Sequence, residues 1–354
     1  MSPDPWAARH DRNKVDLAFI VDCTGSMGSH IRQAQKHVRS IAETVARTAF
    51  NVTLALVEYR DHPPQDNSFI TRTHDFTHSL DEMKRWVDGM SASGGGDGPE
   101  SVACALDDAA KLSYRKDATK ICVLISDAPP HGLGLEHDGF PDGCPTGNDP
   151  LKACRMMVEK GIVLYCVGCE PSILRYKDFY MGLAYITGGQ YVPLSRAQGL
   201  SQVIINGTLE EVAQENLMGY VEDYLYMELA KRRAEKKKTT VDDLAEDLQK
   251  HLSLRNVKCQ QLQCNAEALE PASPTAKKIA GLKKLSEVRQ LLKDESPMDY
   301  RSFTNMRVTL EVSITAPAEV TKNQCGRLIM KELGREKQPV THDELTGELI
   351  IEEL

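Results

Sequence analysis

Val15-Asp16-Leu17-Ala18-Phe19-Ile20-Val21-Asp22-Cys23-Thr24-Gly25-Ser26 sets an apolar run directly ahead of a loop rich in oxygen donors. Val15 to Val21 is nearly continuous in hydrophobic residues, the mark of a strand covered on both faces. The same signature returns at Val52 to Tyr59, Lys120 to Ser126 and Gly161 to Val167. Between these runs, His30 to Ala49, Leu80 to Met90, Glu100 to Leu112, Leu151 to Lys160 and Ser172 to Ile186 carry apolar residues at helical spacing. Strands alternating with helices predict a three-layer, Rossmann-like α/β fold with a central, mostly parallel sheet. Gly188 to Pro193 reads as a turn and a short last strand, and Leu200 to Glu215 as a last helix.

Ligands of an open parallel sheet bind beyond the carboxyl ends of its strands. Three predicted loops there carry oxygen donors. The first holds Asp22, Thr24 and Ser26. The second, Ser93-Gly94-Gly95-Gly96-Asp97-Gly98-Pro99-Glu100, sets two carboxylates ahead of a helix. The third is Ser126-Asp127-Ala128-Pro129-Pro130. Oxygen-only donors suit magnesium, manganese or calcium better than zinc. Taken alone, the first loop reads better as a helix N-cap, and Glu100 is as readily a favourable charge in a first helical turn as a ligand. The three loops together favour a cation.

These loops resemble a von Willebrand factor A-type (vWA) domain with its metal-ion-dependent adhesion site. In that family the first loop reads Asp-x-Ser/Thr-x-Ser, matched by Asp22, Thr24 and Ser26 without a gap. The third loop supplies an aspartate after a sheet strand, matched by Asp127. The second departs from the family's threonine form, and Asp97-Gly98-Pro99-Glu100 is similar instead to the Asp-x-Pro-Glu of the vWA-like domains in integrin β-subunits. That match makes Glu100 the better candidate ligand and Asp97 the second. Gly94 to Glu100, Asp127 to Gly132 and the insertion Asp138 to Pro145 together resemble the A-type domains attached to some α-kinases. The resemblance covers roughly Lys14 to Glu215. The remaining C-terminal part is too short for such a kinase domain and lacks its nucleotide loop and zinc pattern, so kinase activity is not carried over.

Composition narrows the partners. With 51 acidic and 43 basic residues, a formal charge of -8 argues against general affinity for nucleic acid or anionic lipid. The start has no apolar core of the kind a secretory signal needs, and no run of about eighteen apolar residues appears, so a cytoplasmic protein without membrane insertion is expected. Ten scattered cysteines, several within apolar strands, read as buried reduced thiols rather than a disulfide framework. Cys166-Val167-Gly168-Cys169 has zinc or redox spacing but spans a strand end, where core packing is the better reading. Cys144 and Cys154 with His131 and His137 are a possible second metal set, with incidental cysteines the simpler reading.

Residues 1–13 are expected to be a flexible N-terminus, 14–217 the vWA domain, and 218–354 a helical extension with a small α+β region. In the extension, Lys231 to Lys238 reads as a solvated helix face, Lys277 to Leu292 as one amphipathic helix, Met306 to Ile314 as a strand, and Thr346 to Leu354 as a terminal strand or tail. The expected function is divalent-metal-dependent protein binding. Mg2+, or Mn2+ or Ca2+, would be held incompletely, and an acidic side chain of a protein partner would complete its shell. A regulatory or scaffold subunit related to the vWA α-kinases is the alternative. A metal-dependent hydrolase ranks third, since Ser26 lacks a histidine partner at sequence level and His30 reads as a surface residue. No enzymatic motif is found.

Overall fold

The structure is a computed structural model describing residues 14–33, 35, 44, 51–194, 199–294, 311–343, 346 and 348–352. The N-terminus read as flexible and most of the helix read from His30 to Ala49 lie outside the described residues.

Six strands form the central sheet: β1 (Lys14–Asp22), β2 (Asn51–Tyr59), β3 (Thr71–Thr77), β4 (Thr119–Ser126), β5 (Ile162–Cys169) and β6 (Tyr191–Leu194). Their order is β3-β2-β1-β4-β5-β6, and only β3 runs antiparallel. The apolar runs become strands because both of their faces are covered. On β1, Ala18 and Ile20 join one hydrophobic cluster, whereas Leu17, Phe19 and Val21 join another across the sheet. Sequence patterning had passed over β3. Its Thr71 to Thr77 stretch is half-exposed at the sheet edge, so it lacks the apolar run that marks the inner strands.

Helical residues 28–33 (α1) follow the first loop. Then come α2 (Leu80–Gly89), α3 (Val102–Lys111), α4 (Pro150–Glu159), α5 (Lys177–Ile186) and α6 (Leu200–Glu215). Ser79 caps α2 by accepting from the Glu82 amide, and Asp149 caps α4, whose first turn opens with proline. The insertion between β4 and α4, residues 127–149, contains no helix or regular strand.

The extension is helical with small β elements: α7 (Met218–Ala234), α8 (Val241–Leu254), α9 (Pro274–Gly281), α10 (Leu285–Asp294) and α11 (Lys322–Arg335), with short antiparallel pairings among residues 258–268, 312–319 and 340–351. The helix expected over Lys277 to Leu292 is two. The chain turns at Leu282, where Arg155 Nη2 donates to the carbonyls of Ala280 and Leu282, and the Glu287 carboxylate accepts from the Lys283 amide. Only Val312–Ile314 of the expected strand over Met306 to Ile314 is a described strand, its first residues lying outside the described part. Leu349–Ile351 is a strand paired with Val340–His342. The basic run is only partly solvated: Arg232 is buried and paired with Glu228 and Asp247.

These helices share the sheet's core. The cluster containing Ile20, Leu124 and Leu164 continues through Leu244, Leu248, Leu328 and Ile329. A second tie is ionic. Arg327, Lys331 and Arg335 repeat every four residues on α11 and so share one face. Arg327 Nη1 meets Glu210 at 3.2 Å, Lys331 pairs with Glu211, and Arg335 Nη2 meets Glu215 at 2.9 Å. All three acids lie on α6, and all are buried.

Candidate metal centre

The loops named from the sequence converge at the carboxyl end of the sheet, and backbone hydrogen bonds fasten them together. Gly25 N donates to Gly94 O at 3.2 Å and Ser93 N to Cys23 O at 3.1 Å, tying the first loop to the second. Glu100 N donates to Pro129 O at 2.9 Å, tying the second to the third. Arg60, buried just past β2, donates to Cys23 O, Ser91 O and Ser68 Oγ. Its guanidinium therefore braces loop backbone rather than neutralising the site.

Within this frame Asp22 is fully buried. Its Oδ1 accepts from Thr24 Oγ1 at 2.6 Å and from Thr24 N at 2.9 Å, while Tyr59 OH and Ser126 Oγ approach Oδ2 at 3.3 and 3.4 Å. Ser26 Oγ donates to Asp127 Oδ1 at 3.0 Å and lies 3.4 Å from Thr24 Oγ1. Asp22, Thr24, Ser26 and Asp127 thus form one connected set of oxygens. Thr24 does not take up the alternative N-cap role: it stands before the helical turn Gly25–Met27 without a side-chain cap bond.

Glu100 completes the set from the second loop. Its carboxylate is buried, and Oε2 has no hydrogen-bond partner. A Cβ placed on Gly95 would fall 2.7 Å from Glu100 Oε1 and 3.4 Å from Thr24 Cβ, which locates the carboxylate beside the first loop. Gly95 also has φ of +80°, so glycine is required there both for its backbone and for this close approach.

Acidic groups gather here with little compensating charge among the described residues, only that of His30 acting favourably on Asp127. Burial, with a contribution from Asp127, pushes the Asp22 carboxyl up to about 7, against the opposing bonds from Thr24. Burial and then the charges of Asp22, Asp61, Asp97 and Asp127 push Glu100 up to about 10. Burial likewise raises Asp127. Among the described residues no lysine or arginine forms an ion pair with these three acids. Buried carboxylates without a cation are costly, and a divalent metal is the chemistry that suits them. The donor set is all oxygen, and the orphaned Glu100 Oε2 supplies a free ligand atom, so the residues fit a hard cation.

Asp97 belongs to a neighbouring group. Its Oδ2 accepts from Gly139 N at 2.6 Å, and its ligand atoms cluster with those of Asp61 and His131 within 4.8 Å. His131 bridges two acids, with Nε2 2.6 Å from Asp61 Oδ1 and Nδ1 2.7 Å from Asp138 Oδ1. Burial would lower its pKa, but Asp61 and Asp138 outweigh burial and raise it. Asp61 was missed as a site residue, although it follows β2 at the same sheet end that singled out Asp22 and Asp127, and His131 was weighed only beside cysteines, not with the carboxylates it meets.

The set of Cys144, Cys154, His131 and His137 weighed from the sequence does not assemble. Cys154 is fully buried in the core and His131 is engaged by carboxylates. Cys144 instead meets Cys104 and His62. Cys166 and Cys169 are buried within β5, as core packing requires. His30 is half-buried rather than on the surface, close enough to feel Asp127, although burial dominates and lowers its pKa. No described helix is long and apolar enough to cross a membrane.

A family model described as von Willebrand factor A domain matches residues 16–137, a span that includes all three loops. An alpha-protein kinase of Dictyostelium discoideum, vwkA, is 34% identical over 137 residues, which are 38% of this chain and 22% of that protein. An ariadne-like RING finger protein of Acanthamoeba polyphaga mimivirus is 28% identical over 214 residues, 57% of this chain and 20% of that protein. The chain thus spans about a fifth of the length of these curated relatives. Among solved structures, a von Willebrand factor type A protein from Catenulispora acidiphila is similar over 57% of this chain and 43% of its own, with 17% identity and a TM-score of 0.39.

Proposed function

Given that the chain carries a von Willebrand factor A domain over residues 16–137, we propose that it binds a protein partner through a divalent cation held by Asp22, Thr24, Ser26, Glu100 and Asp127. The observation that carries this reading is the buried, unpartnered Glu100 carboxylate beside Asp22 and Thr24. The cation, Mg2+ or else Mn2+ or Ca2+, would supply a Lewis-acidic point for a partner's carboxylate. The protein's own groups do the positioning. Thr24 and Ser26 offer neutral hydroxyls, and the Thr24 hydroxyl and amide orient Asp22. Tyr59 and Ser126 hold the other Asp22 oxygen from beneath. Ser26 is exposed, so the site opens to solvent on that side, where a partner's acidic side chain has access.

Binding without catalysis is part of the proposal, as is the absence of kinase activity. A cytoplasmic setting and the exclusion of nucleic acid remain expectations from sequence. The alternative of a regulatory or scaffold subunit draws support from the extension, whose helices are bound into the domain's core and through the α6–α11 ion pairs.

The test is a binding screen of the full chain against immobilised acidic peptides in Mg2+ or Mn2+. Retention should vanish in EDTA and in Thr24→Val, and peptides with amide-for-carboxylate replacements should not bind. Peptide binding that survives both EDTA and Thr24→Val would overturn the reading.

A further inference from the structure

Three cysteine and histidine side chains that play no part in the oxygen site meet beside it. His62 follows β2, Cys104 sits in the first turn of α3, and Cys144 lies in the 127–149 insertion. His62 Nε2 is 3.5 Å from Cys144 Sγ and 3.7 Å from Cys104 Sγ, and the two sulfurs are 3.3 Å apart. A tetrahedral zinc with bonds of about 2.3 Å to sulfur and about 2.0 Å to nitrogen sets its ligands roughly 3.5 Å (S···N) and 3.8 Å (S···S) from one another. The three observed edges lie close to that cage. We propose that His62, Cys104 and Cys144 form a zinc site that staples the insertion to the edge of the sheet domain.

Polar groups around the triad have the character of a supporting shell. Asn148 Nδ2 donates to Cys104 Sγ at 3.4 Å, and Thr146 Oγ1 lies 3.0 and 3.3 Å from the two sulfurs. Such donors stabilise thiolates and orient them toward a metal. His62 and Cys104 are buried, and Phe140 packs edge-on against the His62 ring at 5.4 Å between centroids. Two sulfurs and an imidazole form a soft donor set that selects zinc over the magnesium or calcium suited to the oxygen site. With three protein donors, a tetrahedral zinc here would complete its shell with water.

The fold gives such a staple a purpose. Residues 127–149 run without a helix or regular strand, a length that in a compact domain needs fastening. This same insertion carries His131, Asp138 and Gly139, which hold Asp61 and Asp97 next to the oxygen site. A disulfide between Cys104 and Cys144 would tie the loop too, but it would leave the buried His62 Nε2 facing neutral sulfur.

Elemental analysis of the full chain, incubated with zinc under reductant and desalted, tests the assignment. About one equivalent of zinc is expected in the wild type and in Cys154→Ser, with at least about a tenfold loss in Cys104→Ser and in Cys144→Ser. Cobalt in place of zinc should give thiolate-to-metal charge-transfer absorption in the wild type and none in Cys144→Ser. Because Cys144 is partly exposed, that variant should remain folded by circular dichroism. Asp22→Ala should keep its zinc, which separates this site from the oxygen site. Zinc-free wild type, zinc retained in both cysteine variants, or a Cys104–Cys144 disulfide in place of metal would each overturn the proposal.

Discussion

Replacing Lys331 with methionine isolates the charge that fastens α11 to the sheet domain. The Lys331 side chain is fully buried, as is Glu211, with which its Nζ pairs, while Glu215 Oε2 lies 3.7 Å away and is itself 4% exposed. Methionine has nearly the same length and volume, so packing is conserved and the main loss is the cation. Glu211 is then left with a weak contact from Tyr165 OH at 3.5 Å, whereas Glu215 keeps Arg335 at 2.9 Å. Removing one partner of a buried pair costs about 3–5 kcal/mol, because the remaining charge stays out of water. The Lys331→Met, Glu211→Leu double variant removes both charges and should recover most of that loss, since an apolar replacement of a buried pair is often neutral or stabilising. Urea unfolding of the four proteins of this cycle measures the coupling directly. A single variant less than about 1 kcal/mol destabilised, or a double variant no better than the single, would refute the view that this pair is desolvated and integral to the fold.

Gly95→Ala should cost about 1–3 kcal/mol from its left-handed backbone, measured by thermal unfolding, and should weaken Mg2+ binding by about tenfold or more because the new methyl displaces Glu100. In EDTA, stability should fall as pH rises. The folded Asp22 carboxyl titrates near 7 instead of its ordinary 3.8, so its protonated form stabilises the fold fully below about pH 4 and that contribution is lost as pH passes through about 7. The stabilisation by Mg2+, read as the difference in melting temperature with and without EDTA, should therefore grow from pH 5 to pH 8. An equal shift at both pH values would contradict the charge balance described for the site. Cutting the chain after Gln214 should leave an aggregating or unfolded product, because Glu210 and Glu211 would lose Arg327 and Lys331. A monomeric, cooperatively melting fragment would contradict this.

The sheet was legible because strands buried on both faces must be written in nearly continuous apolar residues, as Val15 to Val21 is. Two of the loops at its carboxyl end were legible for the same reason: knowing where β1 and β4 end fixes where Asp22 and Asp127 stand, whereas the second loop, between α2 and α3, was legible only from its own glycines and carboxylates. Which second-loop carboxylate faces the first loop was not readable from spacing, since Asp97 and Glu100 are three residues apart. Their sorting depends on the glycine backbone at Gly95 and on the Gly139 amide, reached across the insertion. The His62, Cys104 and Cys144 meeting was invisible because its members are 40 to 82 residues apart along the chain. The α6–α11 ladder did have a local signal, acids at 210, 211 and 215 and bases at 327, 331 and 335. Its helical spacing could have been matched, but charges at such spacing ordinarily mark a solvated face.

Magnesium titration by calorimetry into the wild type and Asp22→Ala tests the central claim most directly. The wild type should bind Mg2+ at a site that Asp22→Ala abolishes while the variant still folds, because Asp22 is the buried anchor to which Thr24 is bonded. Equal affinity in the two proteins would show that the three loops do not hold a cation.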